Sequence, residues 1–132
     1  MDNNTTNKSR NRKVLIIEDE HFITELYQRS LSKAGYQVSV VIDGNEALQK
    51  SQTDQYDIIL LDLMIPNLTG IEILNILRDK NNKNQIKAKI IVTTNLEQRS
   101  EVKRSIEEKA DAYLIKAELT PDELVDFLDN VK

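Results

Sequence analysis

Acidic side chains follow two apolar runs of the sequence, at the point where each run ends. Glu18 and Asp19 come directly after residues 14–17, which are all apolar. Asp62 comes directly after residues 58–61. Such runs are typical of strands buried on both faces of a parallel sheet, whose carboxyl ends share one edge. Carboxylates brought together there repel one another unless a cation lies among them, and oxygen ligands of this kind favour Mg²⁺.

Two further side chains supply the groups that phosphoryl chemistry needs. A carboxylate beside Mg²⁺ can attack phosphorus and form an acyl phosphate, because the metal offsets the negative charge. The transferred phosphoryl group then needs cationic and hydrogen-bonding partners. Thr93 follows the apolar residues 90–92, and Lys116 follows 113–115. These positions predict Asp62 as the nucleophile, Lys116 as a positive charge and Thr93 as a hydroxyl donor.

The elements that position these residues alternate between strand and helix. Five strand-like runs are each followed by a helical pattern, which favours parallel strands joined by right-handed crossovers. The wholly apolar runs belong in the centre of the sheet and the mixed ones at its edges. We therefore expect a flavodoxin-like, doubly wound (βα)5 fold of three layers with strand order 2-1-3-4-5. The predicted strands are residues 14–17, 37–42, 58–61, 89–92 and 113–115.

The helical patterns predict ends and buried faces. Gly35 is expected to end the first helix, and Thr120 with Glu123 to open the fifth as a capping box. A fourth helix is expected from about residue 97 to Lys109. The third helix is predicted to turn four apolar side chains inward, Ile71, Leu74, Ile76 and Leu77.

Length and composition limit the classes of function. The chain has 132 residues, a net charge of −4 and no cysteine. We expect one domain at residues 13–132, preceded by a disordered polar arm at residues 1–12. The absence of cysteine excludes disulfides, thiolate metal sites and a cysteine nucleophile. The charge argues against nucleic acid as a direct partner, no apolar run is long enough for a membrane span, and the cytoplasm is the expected compartment.

Four segments together resemble the receiver domain of bacterial response regulators, of the single-domain chemotaxis or sporulation type. The similarity covers about residues 13–132. It rests on motifs that occur in order at the ends of the predicted strands. They read Ile-Ile-Glu18-Asp19, Asp62-Leu-Met-Ile-Pro-Asn-Leu-Thr-Gly70, Val92-Thr93 and Tyr113-Leu-Ile-Lys116.

The resemblance implies a metal-dependent phosphoacceptor site. Asp62 would accept a phosphoryl group from a phosphohistidine on a sensor kinase or a phosphotransfer protein. Asp19 and Asp62 would bind Mg²⁺ directly, Glu18 would bind it through water, and the backbone carbonyl of Met64 would be a further ligand. Lys116 would pair with Asp62 and then with the phosphoryl group.

The resemblance also implies a switch and a mode of output. Thr93 would move toward the phosphoryl group, and Tyr113 would rotate inward. This change would reach the surface formed by the fourth helix, the fifth strand and the fifth helix (α4-β5-α5), where family members bind targets or form homodimers. The expected protein is a stand-alone switch, with self-phosphorylation and slow autodephosphorylation as its only reactions.

Three residues depart from the family pattern. Ala117 replaces a proline that follows the lysine through a cis bond, and since a non-proline cis bond costs about 3 kcal/mol, we expect a trans bond here. Thr94 replaces a small residue and would narrow access to the phosphoryl group. Lys109 replaces a glycine, so a left-handed helix end is disfavoured there.

Other interpretations of the same residues remain. A phosphatase of the haloacid dehalogenase kind needs a second aspartate two positions after the first, where this chain has Met64. A flavin-binding protein needs a phosphate-binding loop after the first strand, where acids stand instead. A receiver-like module that binds partners without phosphorylation is the main alternative. Tyr113 can also be read as simple edge-strand packing, and the only histidine, His21, as a solvated helix-start residue.

Overall fold

The five strands form one parallel sheet. The computed structural model describes residues 12–53, 55–81, 86–95 and 100–131. The strand order is β2-β1-β3-β4-β5, which confirms the predicted order. The strands are β1 (Lys13–Ile17), β2 (Gln37–Val41), β3 (Ile58–Asp62), β4 (Lys89–Thr94) and β5 (Ala112–Ile115).

Helices cover both faces of the sheet and complete the three layers that the sequence predicts. Two of them pack on one face around Leu31 and Leu124, and the other three pack on the opposite face around Ala47, Ile73 and Ile106. None of the helices within the described ranges is both long and apolar enough to cross a membrane. The helices are α1 (His21–Lys33), α2 (Gly44–Thr53), α3 (Gly70–Leu77), α4 (Ser100–Lys109) and α5 (Pro121–Asp129), with a short 3₁₀ turn at Lys116–Glu118.

The burial of each strand follows its place in the sheet. All residues of β3 are buried, because this strand lies at the centre and is covered by helices on both faces. Ile59 and Leu61 point toward α2, α3 and α4, whereas Ile58 and Leu60 point toward α1 and α5. The edge strands β2 and β5 are mostly half-buried, which explains their mixed sequences.

The buried face of α3 differs from the prediction. Ile73 is fully buried, whereas Ile76 is 37% exposed, so the expectation that Ile76 points inward is wrong. Thr69 caps the helix and Gly70 begins it, which places the buried residues Gly70, Ile73, Leu74 and Leu77 at the spacing of a single helical face. The apolar residues at 73, 74, 76 and 77 fit more than one helical face, and the packing of α3 against the sheet selects the face that contains Ile73.

Local signals set several helix ends as predicted. Gly35 follows Ala34, the C-cap residue of α1. Its φ of 104° lies in the left-handed region, as is usual for a glycine that ends a helix. Thr120 and Glu123 form the predicted capping box of α5, and Thr69 and Glu72 form another at α3. The predicted start of α4 near residue 97 and most of the predicted N-terminal arm lie outside the described residues.

Arg78 joins several elements at the edge where the strands begin. Its guanidinium donates to the carbonyl oxygens of Ala88 and Lys109 and to the carboxylate of Asp111. These contacts link the end of α3 to the start of β4 and to the end of α4. The opposite edge, where the strands end, holds the acidic residues.

Candidate functional site

The neighbouring positions of β1 and β3 bring the predicted acids together. Ile17 pairs with Leu61, so Glu18 and Asp62 follow at the same level of the sheet. Carboxylate oxygens of Glu18, Asp19 and Asp62 lie within 4.8 Å of one another. Glu18 and Asp62 are buried, and Asp19 is exposed. This predicted meeting of acids from distant segments is confirmed.

Lys116 enters the same cluster from the end of β5. The strand ends at Ile115, and the 3₁₀ turn begins at Lys116, which directs the buried lysine side chain toward the acids. Its ammonium nitrogen lies 2.7 Å from Glu18 Oε1 and 3.4 Å from Asp62 Oδ1. Lys116 therefore contacts both buried carboxylates, and Glu18 is the nearer partner.

The charges of the cluster do not balance. Burial raises the pKa of the Glu18 carboxyl and the charge of Asp62 raises it further, while the hydrogen bond from Lys116 lowers it. Burial by itself would lower the pKa of Lys116, but its hydrogen bond to Glu18 and the charge of Asp62 raise it overall. Three carboxylates around one ammonium group leave excess negative charge, which favours the uptake of a cation.

Thr93 reaches the site through the pairing of β3 with β4. It pairs with Asp62 in the sheet register and is 3% exposed. Thr94 is also buried, and Asn95 is exposed. Tyr113 of β5 pairs with Val92 of β4 and packs, half-buried, against the apolar cluster between the sheet and helices α2 to α4. The register places Thr93 beside the acids and Tyr113 one residue pair farther back.

The loop after Asp62, residues 63–69, begins and ends next to the end of β3. The Met64 amide donates to Asp62 Oδ1 at 3.2 Å, and the Met64 side chain is 78% exposed. The Gly70 amide donates to the carbonyl of Leu63 at 3.1 Å. A Cβ atom at Gly70 would lie 2.4 Å from the carbonyl oxygen of Asp62, so only glycine fits this close approach. The backbone of Met64 is thereby held next to the Asp62 carboxylate.

Two of the three departures from the family pattern, those at Ala117 and Lys109, are accommodated. No peptide bond in the described ranges is cis, so the predicted trans bond between Lys116 and Ala117 is confirmed. Lys109 lies in the last turn of α4 without a positive φ, and its ammonium donates to Asn75 Oδ1 at 2.6 Å. Neither substitution displaces Lys116 from the acids.

The structure adds residues that the sequence analysis did not connect with the site. Asp43 precedes α2, and its Oδ2 accepts hydrogen bonds from the amides of Asn45 and Glu46. Its Oδ1 accepts a hydrogen bond from the side-chain amide of Asn67, in the loop after Asp62. The aspartate before a helix was a recognisable N-cap signal, but nothing in the sequence indicated its partner Asn67.

Comparison with known proteins agrees with this geometry. The family model of the response regulator receiver domain matches residues 14–129. The chain is 36% identical over 106 residues to the alkaline phosphatase synthesis transcriptional regulatory protein PhoP of Bacillus subtilis, which covers 80% of this chain and 42% of that protein. The chain thus spans less than half the length of curated relatives that it matches.

Solved structures show the same fold. The chemotaxis response regulator CheY4 of Vibrio cholerae is similar with a TM-score of 0.78 and 30% identity, over 92% of this chain and 98% of that one. The receiver domain of the sensor histidine kinase PA1611 from Pseudomonas aeruginosa is similar with a TM-score of 0.75 and 26% identity, over 89% and 93%. The latter structure has a magnesium ion coordinated in its active-site cleft.

Proposed function

The chain belongs to the response regulator receiver domain family, and we propose that it is switched when Asp62 accepts a phosphoryl group. Receiver domains are signalling modules of two-component systems rather than enzymes in the usual sense. The donor in this proposal is a phosphohistidine on a sensor kinase or a phosphotransfer protein, and the exchange takes place in the cytoplasm.

One observation carries the proposal: carboxylates at the ends of two strands and the ammonium of Lys116 meet at one edge of the sheet. Glu18, Asp19 and Asp62 offer oxygen atoms within 4.8 Å of one another. The set contains hard oxygen ligands and excess negative charge, both of which suit Mg²⁺. Asp19, Asp62 and the Met64 carbonyl would hold the ion directly, and Glu18 would hold it through water. When bound, Mg²⁺ offsets negative charge on the phosphoryl oxygens and on the carboxylates.

Asp62, Lys116 and Thr93 each have a separate role in the proposed phosphoryl transfer. A carboxylate oxygen of Asp62 attacks phosphorus, and the new O–P bond forms as the N–P bond of the phosphohistidine breaks. The electron pair leaves with the imidazole, which takes up a proton. Lys116 is already within 3.4 Å of Asp62 and supplies a positive charge to the transferred group. Thr93, paired with Asp62 in the sheet, supplies a hydroxyl donor.

The same residues support a switch. In the proposed cycle, Thr93 moves toward the phosphoryl group and Tyr113 rotates inward, which alters the surface of α4, β5 and α5. That surface would bind a target protein or a second copy of the chain. The half-buried position of Tyr113 between the sheet and α4 supports this route, because a small rotation changes what it contacts.

The residue bounds of the receiver domain and the kind of partner on which it acts stay predictions. We place the receiver at residues 13–132, after the polar arm, and the family model matches 14–129 within that range. We predict a stand-alone switch without a nucleic-acid partner. A longer relative, by contrast, is named as a transcriptional regulatory protein. Output through a protein partner is the form that we propose.

Intact mass after incubation with acetyl phosphate and Mg²⁺ tests the proposal. We expect one added phosphoryl group, absent in Asp62→Asn and absent when EDTA removes the metal. Asp57→Asn is the matched control, because Asp57 lies just before β3, at the opposite end of that strand, where its carboxylate accepts the Lys13 amide. This variant should gain the same mass as the wild type.

Two results would overturn the proposal. An adduct that persists in Asp62→Asn would place the phosphoryl group on another residue. The absence of any adduct, with Mg²⁺ binding established by calorimetry and no binding of beryllofluoride, would mean a dormant site, and the unphosphorylated binding module would then be the better interpretation.

A further inference from the structure

The loop after Asp62 is tied to the loop after β2. The Gly44 amide donates to the carbonyl of Pro66 at 3.0 Å, and the Asn67 side-chain amide donates to Asp43 Oδ1. The two tied loops follow β2 and β3, the strands on either side of β1. The acids Glu18 and Asp19 follow β1, so the tie joins the segments that flank them.

Asn67 adopts an unusual backbone conformation to make this contact. Its φ is 74°, in the left-handed region, and it is the only residue other than glycine with a positive φ in the described ranges. Asparagine tolerates this region better than most residues, but the conformation still costs energy and persists only where surrounding contacts offset that cost. The hydrogen bond to Asp43 is such a contact.

Two glycines allow the backbone segments to approach closely. A Cβ atom at Gly44 would lie 2.2 Å from the carbonyl oxygen of Leu68, and one at Gly70 would lie 2.4 Å from that of Asp62. The loop is therefore held at three points: at its start by the Met64 amide on Asp62, at its tip by Asp43 and Gly44, and at its end by Gly70. Such a loop has little freedom to shift on its own.

We propose that Asp43 and Asn67 are positioning residues for the Mg²⁺ and phosphoryl site. Their hydrogen bond fixes the tip of the loop whose backbone would supply the Met64 carbonyl to the ion. Because Mg²⁺ requires nearly ideal octahedral geometry, a small displacement of this carbonyl weakens binding. The inference rests on the proposed function, and it assigns to the start of α2 a role in that site.

The two oxygens of Asp43 have separate tasks, which allows the positioning role to be separated from helix capping. Oδ2 caps α2 and Oδ1 holds Asn67. Asp43→Ser keeps a preferred N-cap residue but is too short to hold Asn67. Asn67→Gly removes the hydrogen bond and tolerates the positive φ.

Calorimetric titration with Mg²⁺ measures the effect directly. We expect each variant to bind Mg²⁺ about tenfold more weakly than the wild type, as is typical when a supporting hydrogen bond around a metal site is lost. Since both variants break the same hydrogen bond, the one between Asp43 and Asn67, the double variant should bind Mg²⁺ no more weakly than either single variant. Phosphorylation by acetyl phosphate should slow at limiting Mg²⁺ and recover most of its rate at saturating Mg²⁺.

Tyr36→Phe is the matched control. The substitution removes the 2.6 Å hydrogen bond that the Tyr36 hydroxyl donates to Asp129. Tyr36 lies just before β2, at the edge of the sheet opposite the acidic residues. This variant should lose stability without a change in Mg²⁺ affinity, which separates positioning from a general loss of folding energy.

Unchanged Mg²⁺ affinity in Asp43→Ser and Asn67→Gly would overturn the inference, and so would additive losses in the double variant. These titrations do not depend on phosphorylation. If the wild type binds Mg²⁺ but gains no phosphoryl group, the proposed function fails while the positioning role is still decided by the titrations.

Discussion

The ammonium nitrogen of Lys116 lies 2.7 Å from Glu18 and 3.4 Å from Asp62, so its nearer partner is the glutamate at the end of β1. Without a metal or a phosphoryl group, this lysine balances two buried carboxylates at once. A phosphoryl group on Asp62 would compete with Glu18 for the same ammonium, and Mg²⁺ would take over part of the charge of Glu18. In the proposed cycle, Lys116 would therefore exchange Glu18 for the phosphoryl group.

Lys116→Ala should destabilise the metal-free protein. The substitution leaves Glu18 and Asp62 buried without a cation, and breaking a buried pair in this way costs about 3 kcal/mol. Urea unfolding in EDTA should show this loss, and Mg²⁺ should recover most of it. Lys103→Ala, on the exposed face of α4, is the control and should leave stability nearly unchanged. Equal stability of Lys116→Ala and wild type in EDTA would contradict the importance of the pair.

The stability of the metal-free protein should depend on the protonation of Glu18. Burial raises the pKa of this carboxyl above its ordinary value of 4.5, so the folded state holds the proton more tightly than the unfolded state. Stability should therefore fall as pH rises from about 4.5 through the folded pKa. Urea unfolding in EDTA across this range should show a fall that is absent in Glu18→Gln. The same slope in both proteins would assign the effect to another group.

Thr93→Ala should separate phosphorylation from switching. Asp62, the proposed metal ligands and Lys116 remain, so the variant should still gain the phosphoryl group. It lacks the Thr93 hydroxyl that is proposed to move toward that group. Hydrogen exchange of α4, β5 and α5 should change on phosphorylation in the wild type and in Thr93→Ser, and change little in Thr93→Ala. An undiminished response in Thr93→Ala would remove Thr93 from the switch.

The acyl phosphate should be long-lived, because the residues two positions after Asp62 and two positions after Thr93 carry no charged group that could orient and activate an attacking water. These residues are the apolar Met64 and the neutral Asn95. Met64→Glu adds a carboxylate that can position water, and it should shorten the lifetime by at least about tenfold. Met64→Leu is the control and should decay like the wild type. Decay is followed by intact mass after acetyl phosphate is removed, and rapid decay in the wild type would contradict the expectation.

The sequence alone predicted the strand order and the meeting of Glu18, Asp19 and Asp62. Both follow from chain-local signals: wholly apolar runs must be covered on two faces, and acids at the ends of neighbouring parallel strands must share an edge. Thr93 and Lys116 were predicted to lie at the same edge for the same reason. Continuous apolar runs and the polar residues that end them are enough to settle features of this kind.

The tertiary structure decided which side chains pair. The nearer contact of Lys116 with Glu18, the hydrogen bond between Asp43 and Asn67, and the buried face of α3 at Ile73 were not predicted. Each depends on how separate segments pack. The two side-chain contacts depend on distances of a fraction of an ångström, and the buried face of α3 depends on the rotation of the helix about its axis. A sequence states which residues lie at the end of each strand, but the distances between them are set by the packing of all the strands and helices together, and no local pattern records those distances.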